Sequence, residues 1–105
     1  MKTNRSQLHK AACRKYKEKF FDKYGFLFCE SCKVSNSMLF EVHHILSAGQ
    51  FPKHPELHND MNLILLCGNC HDGFHLKIKG REQEFRDKKE SLIIQRGLKE
   101  LFDIL

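Results

Sequence analysis

Residues 65–75, LLCGNCHDGFH, place two cysteines and two histidines, Cys67, Cys70, His71 and His75, within nine positions. Three arrangements fit: one four-ligand metal site, parts of two separate sites, or a haem attachment, since CGNCH also matches the CxxCH pattern. The fold turns on the choice, because a structural metal is one of the few cross-links open to a chain this small.

A second CxxC stands upstream, Cys29 and Cys32 in CESC, with 34 residues between the two pairs. Each pair falls at an expected turn beside a β-segment. A CxxC turn aims two thiolates at one point, and two such turns supply the four soft ligands of a closed tetrahedral Zn2+ site. Haem attachment occurs mostly on exported chains and would leave Cys29 and Cys32 without a use. Cys13 is left over and is expected as a buried helical residue rather than a reactive one.

The chain has 105 residues, 41% hydrophobic and 30% charged, which suits one small globular domain rather than a disordered or fibrous chain. We expect that domain to span 1–105, with a core at 29–80, a basic N-terminal helix at about 5–24 and a helical segment at about 81–105. The longest apolar run, Leu63 to Cys67, is too short to span a bilayer, and the N-terminus carries no apolar signal core. A cytoplasmic protein without membrane contact is therefore expected, where reducing conditions favour metal ligation over disulfides. Net charge is +5 and unevenly spread. Residues 1–28 hold eight Lys/Arg against two acids, 29–75 two against five, and 76–105 eight against six. A basic arm ahead of a slightly acidic centre suits a polyanion such as nucleic acid, and equally a solvated helix face.

Leu8, Ala12, Tyr16, Phe20 and Tyr24 recur every four residues and predict an amphipathic helix that Gly25 stops. MLFEVHHIL is rich in β-formers and predicts a strand; SAGQFPKHPELHND holds both prolines and predicts a loop; NLILL predicts a second strand running into the second CxxC. NCHDGFHLKIKG predicts a short helix, weakened by Gly73 at about 1 kcal/mol relative to Ala. Ile94, Leu98, Leu101 and Leu105 are spaced for a last helix interrupted at Gly97. The fold class is thus α+β, with two short antiparallel strands and flanking helices around the metal.

With the cysteines committed to zinc, His71 and His75 need another role. Four apart on a helix, they face one point. His71 lies about 100° round from Cys70 and so aims away from the cysteine site. VHHI adds His43 and His44 at the end of the preceding strand, which an antiparallel turn lays beside the helix. Neighbours on a regular strand point to opposite faces, so both reach one site only where the strand ends or bulges. One of them would complete a three-histidine metal site with an open coordination position, leaving the other as a general base near neutral pH. Exposed histidines with no shared function remain the alternative.

The succession of CxxC, VHHI, an Asn opening NLILLC, then CxxCH and a further His resembles the HNH nucleases, also called ββα-metal nucleases. The likeness covers Cys29 to His75. It implies a ββα-metal, treble-clef-like core around a structural zinc site of four cysteines, and hydrolysis of phosphodiester bonds in DNA. It implies roles for single residues too. His44 corresponds to the general base, Asn62 to the Asn that braces the loop and orients that base, and His71 to the final catalytic His. His43, His71 and His75 would hold one divalent ion, Mg2+, Mn2+, Ni2+ or Zn2+. Products with 5′-phosphate and 3′-hydroxyl ends are implied. Asp72 stands where many relatives carry a basic residue, either as a negative charge beside the phosphate or as an extra ligand. His9, His54 and His58 are expected at the surface.

A nuclease needs affinity for phosphate backbone. Arg5, Lys10, Arg14, Lys15, Lys17, Lys19 and Lys23 on the first helix, with Lys77, Lys79 and Arg81 past the site, are the candidate DNA contacts. Two other classes stay open: a zinc-stabilised nucleic-acid-binding module without catalysis, and a zinc domain that binds protein. The apolar stripe of the last helix suits either internal packing or a homodimer, and the family resemblance is compatible with a larger phage or restriction assembly.

Overall fold

The computed structural model describes residues 5–104, Arg5 by its backbone only. Arg5 as a DNA contact and Leu105 as part of the last apolar stripe therefore lie outside the described residues. The architecture is α+β. Helix α1 (Arg5–Tyr24) precedes an antiparallel pair, β1 (Phe40–His44) and β2 (Leu63–Cys67), and a 3-10 turn (Asp60–Asn62) leads into β2. Helices α2 (Gly68–Phe74), α3 (Glu82–Gln95) and α4 (Leu98–Leu101) follow. No helix among the described residues is long and apolar enough to cross a membrane.

The strands pair without a bulge, Phe40 opposite Cys67 and His44 opposite Leu63. All five residues of β2 are buried, which is why its sequence is a continuous apolar run instead of an alternation. β1 is shorter than expected at both ends: Met38 and Leu39 stand out in solvent, whereas Ile45 and Leu46 are buried but bond to Asn62. The outer edge of β2 is closed by Glu30, from inside the first CxxC turn. Its N–H donates to the Leu65 carbonyl (2.8 Å), and its carboxylate accepts from the Leu65 N–H (2.9 Å). Arg96 finishes the edge, donating to the carbonyls of Met61 and Leu63 while pairing with Glu30 at 3.5 Å. A strand edge satisfied in this way offers nothing to a second chain.

α1 ends where predicted: Gly25, at φ +80°, donates to the Phe21 carbonyl (2.7 Å). Of its expected apolar stripe only Phe20 is buried, under the rings of Tyr24 and Phe28 at 4.7 and 4.8 Å, while Leu8 and Tyr24 are exposed. A two-stranded sheet is too narrow to cover a 20-residue helix along its length. Polar tethers hold the helix as well: the Tyr16 hydroxyl donates to Glu30 and the Lys17 ammonium to the Phe40 carbonyl, each at 3.0 Å.

The C-terminal helices close the core. Gly97, at φ +62°, breaks the helix, and the break shifts the phase of the stripe. Ile93, Leu98 and Phe102 face inward and Ile94 is exposed, which corrects the expectation for Ile94. The ring of Phe102 stacks on His54 at 4.4 Å, and His54 Nε2 donates to the Phe102 carbonyl (3.1 Å). His54 is thus a tether for the C-terminal segment, not the surface residue predicted.

Candidate functional site

The four cysteines converge. Sγ atoms of Cys29, Cys32, Cys67 and Cys70 all lie within 4.8 Å of one another, and Cys32 and Cys67 are 3.7 Å apart. Ligands about 2.3 Å from a tetrahedral zinc ion stand about 3.8 Å apart, so the spacing fits. Local structure creates the convergence. Cys67 ends β2 and caps α2, its sulfur accepting from the Cys70 N–H (3.4 Å), as Cys29 accepts from the Cys32 N–H (3.4 Å). Burial pushes the Cys29 thiol up, but N–H donors of Cys32, Cys67 and Ser31 outweigh it and bring the pKa down to about 7. Burial and the neighbouring Cys29 push Cys70 up instead. Four crowded thiols cannot all ionise unaided, and a divalent cation removes that conflict. The set is compatible with structural zinc. Cys13 lies apart on α1, half-buried, its thiol raised by burial and then by Glu41.

α2 then delivers the histidines. His71 stands on its last turns and His75 is its C-cap, with ring centroids 4.5 Å apart. His43 of β1 approaches both, at 5.9 Å from His71 and 4.9 Å from His75, and the three offer nitrogens within 4.8 Å of one another. Burial first, then His75 and His71, lower the pKa of His43 from 6.5 to about 3. Burial and His71 lower His75 also. Three imidazoles at one point could hold a divalent transition metal. Asp72 is exposed and not grouped with these nitrogens, although its charge is felt at His75.

His44 turns the other way. It is the last residue of an unbulged strand, so its ring leaves the face opposite His43. It is 6% exposed, stacks on His9 of α1 at 4.2 Å, and shares a 2.9 Å hydrogen bond between its Nε2 and His58 Nδ1. Its Nδ1 is buried, with no hydrogen-bond partner among the described residues. Burial, then His9 and His58, lower its pKa to about 4. His9 and His58, predicted as surface residues, are therefore its neighbours. No periodicity in the sequence signals this, since the three come from a helix, a strand end and a loop.

Asn62 is fully buried and ties both approaches to His44. Its Oδ1 accepts from the Leu46 N–H (2.7 Å), and its Nδ2 donates to the carbonyls of Leu46 and Leu57 (2.9 Å each). One clamp thus holds the segment just after His44 and the residue just before His58. A cavity of about 160 Å3 is lined by His9, His43, His44, His71 and His75, so the two histidine groups open into the same space.

The basic residues divide. Lys10, Arg14, Lys15, Lys23, Lys77 and Lys79 are exposed. Arg14, Lys15 and Lys19 line with His58 a groove of about 570 Å3 along α1. Lys19 pairs with Asp60 at 3.0 Å in solvent, Lys17 is spent on Phe40, and Arg81 is locked to Glu84 and against the Phe85 ring. Lys23 lies over the Tyr24 ring. No family model, curated protein or solved structure matches the chain, so the residues and their geometry alone carry its functional reading.

Proposed function

We propose that the chain is a metal-dependent DNA endonuclease of the HNH type, with β1, β2 and α2 as its ββα-metal unit. One observation supports this best: His43, His71 and His75 converge on a cavity that His44 also lines, directly beside a four-cysteine cluster. His43, His71 and His75 would hold the ion. When bound, that ion supplies Lewis-acid stabilisation of charge on the scissile phosphate and the leaving 3′ oxygen. His44 would take the proton of the attacking water at Nδ1 once the side chains that bury this nitrogen move aside, with its Nε2–H donating to His58 Nδ1 and so fixing the tautomer. Asn62 keeps that pair in register through Leu46 and Leu57. An imidazole with pKa about 4 is unprotonated at neutral pH, and the negative phosphate of bound DNA raises it toward the range a base needs. Arg14 and Lys15 along the α1 groove, which Glu18 and the Lys19–Asp60 pair also line, would provide sequence-independent backbone contacts.

Supercoiled plasmid incubated with Mg2+, Mn2+, Ni2+, Zn2+ or EDTA tests the proposal. Divalent-dependent nicking or linearisation is expected, and more with Ni2+ than with Mg2+, because imidazole nitrogens suit Ni2+ whereas Mg2+ takes oxygen ligands. His44→Ala should abolish cleavage and retain salt-sensitive DNA binding. The burial of His44 Nδ1 favours a second reading, a zinc-stabilised nucleic-acid-binding module without catalysis. DNA binding by the unmodified chain without cleavage in any metal would establish that second reading and end the first.

A further inference from the structure

Three imidazoles meet at the end of β1, where His9 and His44 share a cavity with His43, His71 and His75. His9 comes from α1, His44 from the end of β1 and His58 from the loop before the 3-10 turn, and each offers a nitrogen within 4.8 Å of the other two. His44 and His58 stand 2.9 Å apart through ring nitrogens, close to the roughly 3.3 Å between imidazole ligands 2.0–2.1 Å from a tetrahedral ion. His9 lies 5.9 Å from His58, edge to face, and stacks on His44. A turn of the His9 ring about its side-chain bonds would bring its nitrogen inward. With Nε2 as the ligand atom, a neutral His44 would carry its proton on Nδ1, the buried nitrogen for which the described residues supply no hydrogen-bond partner, and that nitrogen would then have no lone pair to offer a water.

We propose that His9, His44 and His58 form a third metal site, selective for a borderline transition-metal ion such as Zn2+, and that filling it withdraws His44 from catalysis. The donor set decides the metal. Three imidazole nitrogens without a carboxylate suit Zn2+ and bind Mg2+ poorly, since Mg2+ takes oxygen ligands and keeps its waters. Three protein ligands leave the fourth position of a tetrahedral ion open to water. The inhibitory consequence rests on the nuclease reading of His44; the site itself does not. A chain of this kind would run on one ion at His43, His71 and His75 and be silenced when excess zinc reaches the second histidine group.

Zinc content after dialysis of the folded protein against buffered ZnCl2 tests the site without reference to cleavage. The three ligand groups predict three ions per chain for the unmodified protein, two for His9→Ala, two for His75→Ala and one for the double variant. His58→Asn provides a second variant, also expected at two, and far-UV circular dichroism confirms that each is folded. A folded wild-type chain that saturates at two ions, or folded His9→Ala and His58→Asn chains that both keep three, would overturn the proposal. Cleavage against rising ZnCl2 reads the consequence: the wild type loses activity at zinc levels that leave His9→Ala active. Equal inhibition of both would refute the withdrawal of His44. A chain that counts three ions yet never cuts DNA keeps this site and loses the nuclease reading; one that counts two and cuts does the reverse.

Discussion

Replacing Gly73 with Ala sets local propensity against packing. Gly73 lies inside α2, between His71 and His75, and in an isolated helix the change to Ala would stabilise by about 1 kcal/mol. The tertiary environment reverses the sign. A Cβ at Gly73 would come closer than 3.0 Å to three carbons of the Phe85 ring, Cζ, Cε1 and Cε2. That ring is 2% exposed, meets Phe74 at 5.3 Å, and is flanked by Arg81 and Lys88 at 5.0 and 4.7 Å, so it has nowhere to retreat. α2 and α3 must separate instead. Overpacking of this kind costs about 3 kcal/mol at the upper end of its usual range, leaving Gly73→Ala about 2 kcal/mol less stable than the wild type after the propensity gain. For a chain of this length that is a fall in melting temperature of roughly 10 °C. Urea denaturation of zinc-loaded protein measures it, and on the proposed nuclease reading the displacement of His71 and His75 should lower cleavage in parallel. Adding Phe85→Leu to Gly73→Ala removes the clash, so the double variant should be more stable than the sum of the single changes by about 1 kcal/mol or more. A Gly73→Ala protein as stable as the wild type, or more so, would refute the reasoning.

Three other perturbations have definite outcomes. Removing zinc with a strong chelator should unfold the chain, because structural zinc binding of about 10–16 kcal/mol matches or exceeds the about 5–15 kcal/mol stability of a whole domain; a cooperative denaturation transition surviving in the stripped protein would contradict this. Asn62→Ala leaves the Leu46 N–H and the Leu46 and Leu57 carbonyls buried and unpaired, at about 1–3 kcal/mol each. The denaturation midpoint should fall by the equivalent of at least about 3 kcal/mol, and a loss under about 1 kcal/mol would count against the clamp. Acid should weaken the protein loaded with one equivalent of zinc, enough to fill the cysteine site and leave the histidines without metal. His43 and His44 are held at about 3 and about 4, below the ordinary 6.5, so the unfolded chain binds more protons between those values. Their contribution is complete above pH 6.5 and declines as pH falls, each losing on the order of 2 kcal/mol by pH 5. A urea midpoint unchanged between about pH 7 and about pH 5 would refute that sign and size.

Much of the frame was legible because it depends on short-range pattern. The two CxxC turns each carry their own geometry, sulfur accepting from an N–H three residues on, so the grouping of Cys29, Cys32, Cys67 and Cys70 is legible in their spacing. LILLC is apolar without a break because β2 is buried on every side, and Gly25 stops α1 where its positive φ is needed. His71 and His75 share a point because helical spacing puts them there. The C-terminal stripe was less legible, since the break at Gly97 turns the following helix out of phase and puts Ile93 inside in place of Ile94.

What the sequence alone determined is therefore the order of elements, the cysteine cluster and the helical histidine pair, each specified by residues a few positions apart. Only the tertiary structure decided the partners of His43 and His44. Adjacent on a strand without a bulge, they leave opposite faces, and what each meets depends on segments far away in the chain. α2 brings His71 and His75 to one, whereas α1 and the loop clamped by Asn62 bring His9 and His58 to the other. The same distance in sequence hides Glu30 at the edge of β2 and Phe85 against Gly73. Long-range contacts of this sort obey no local period, and they appear only when the elements pack.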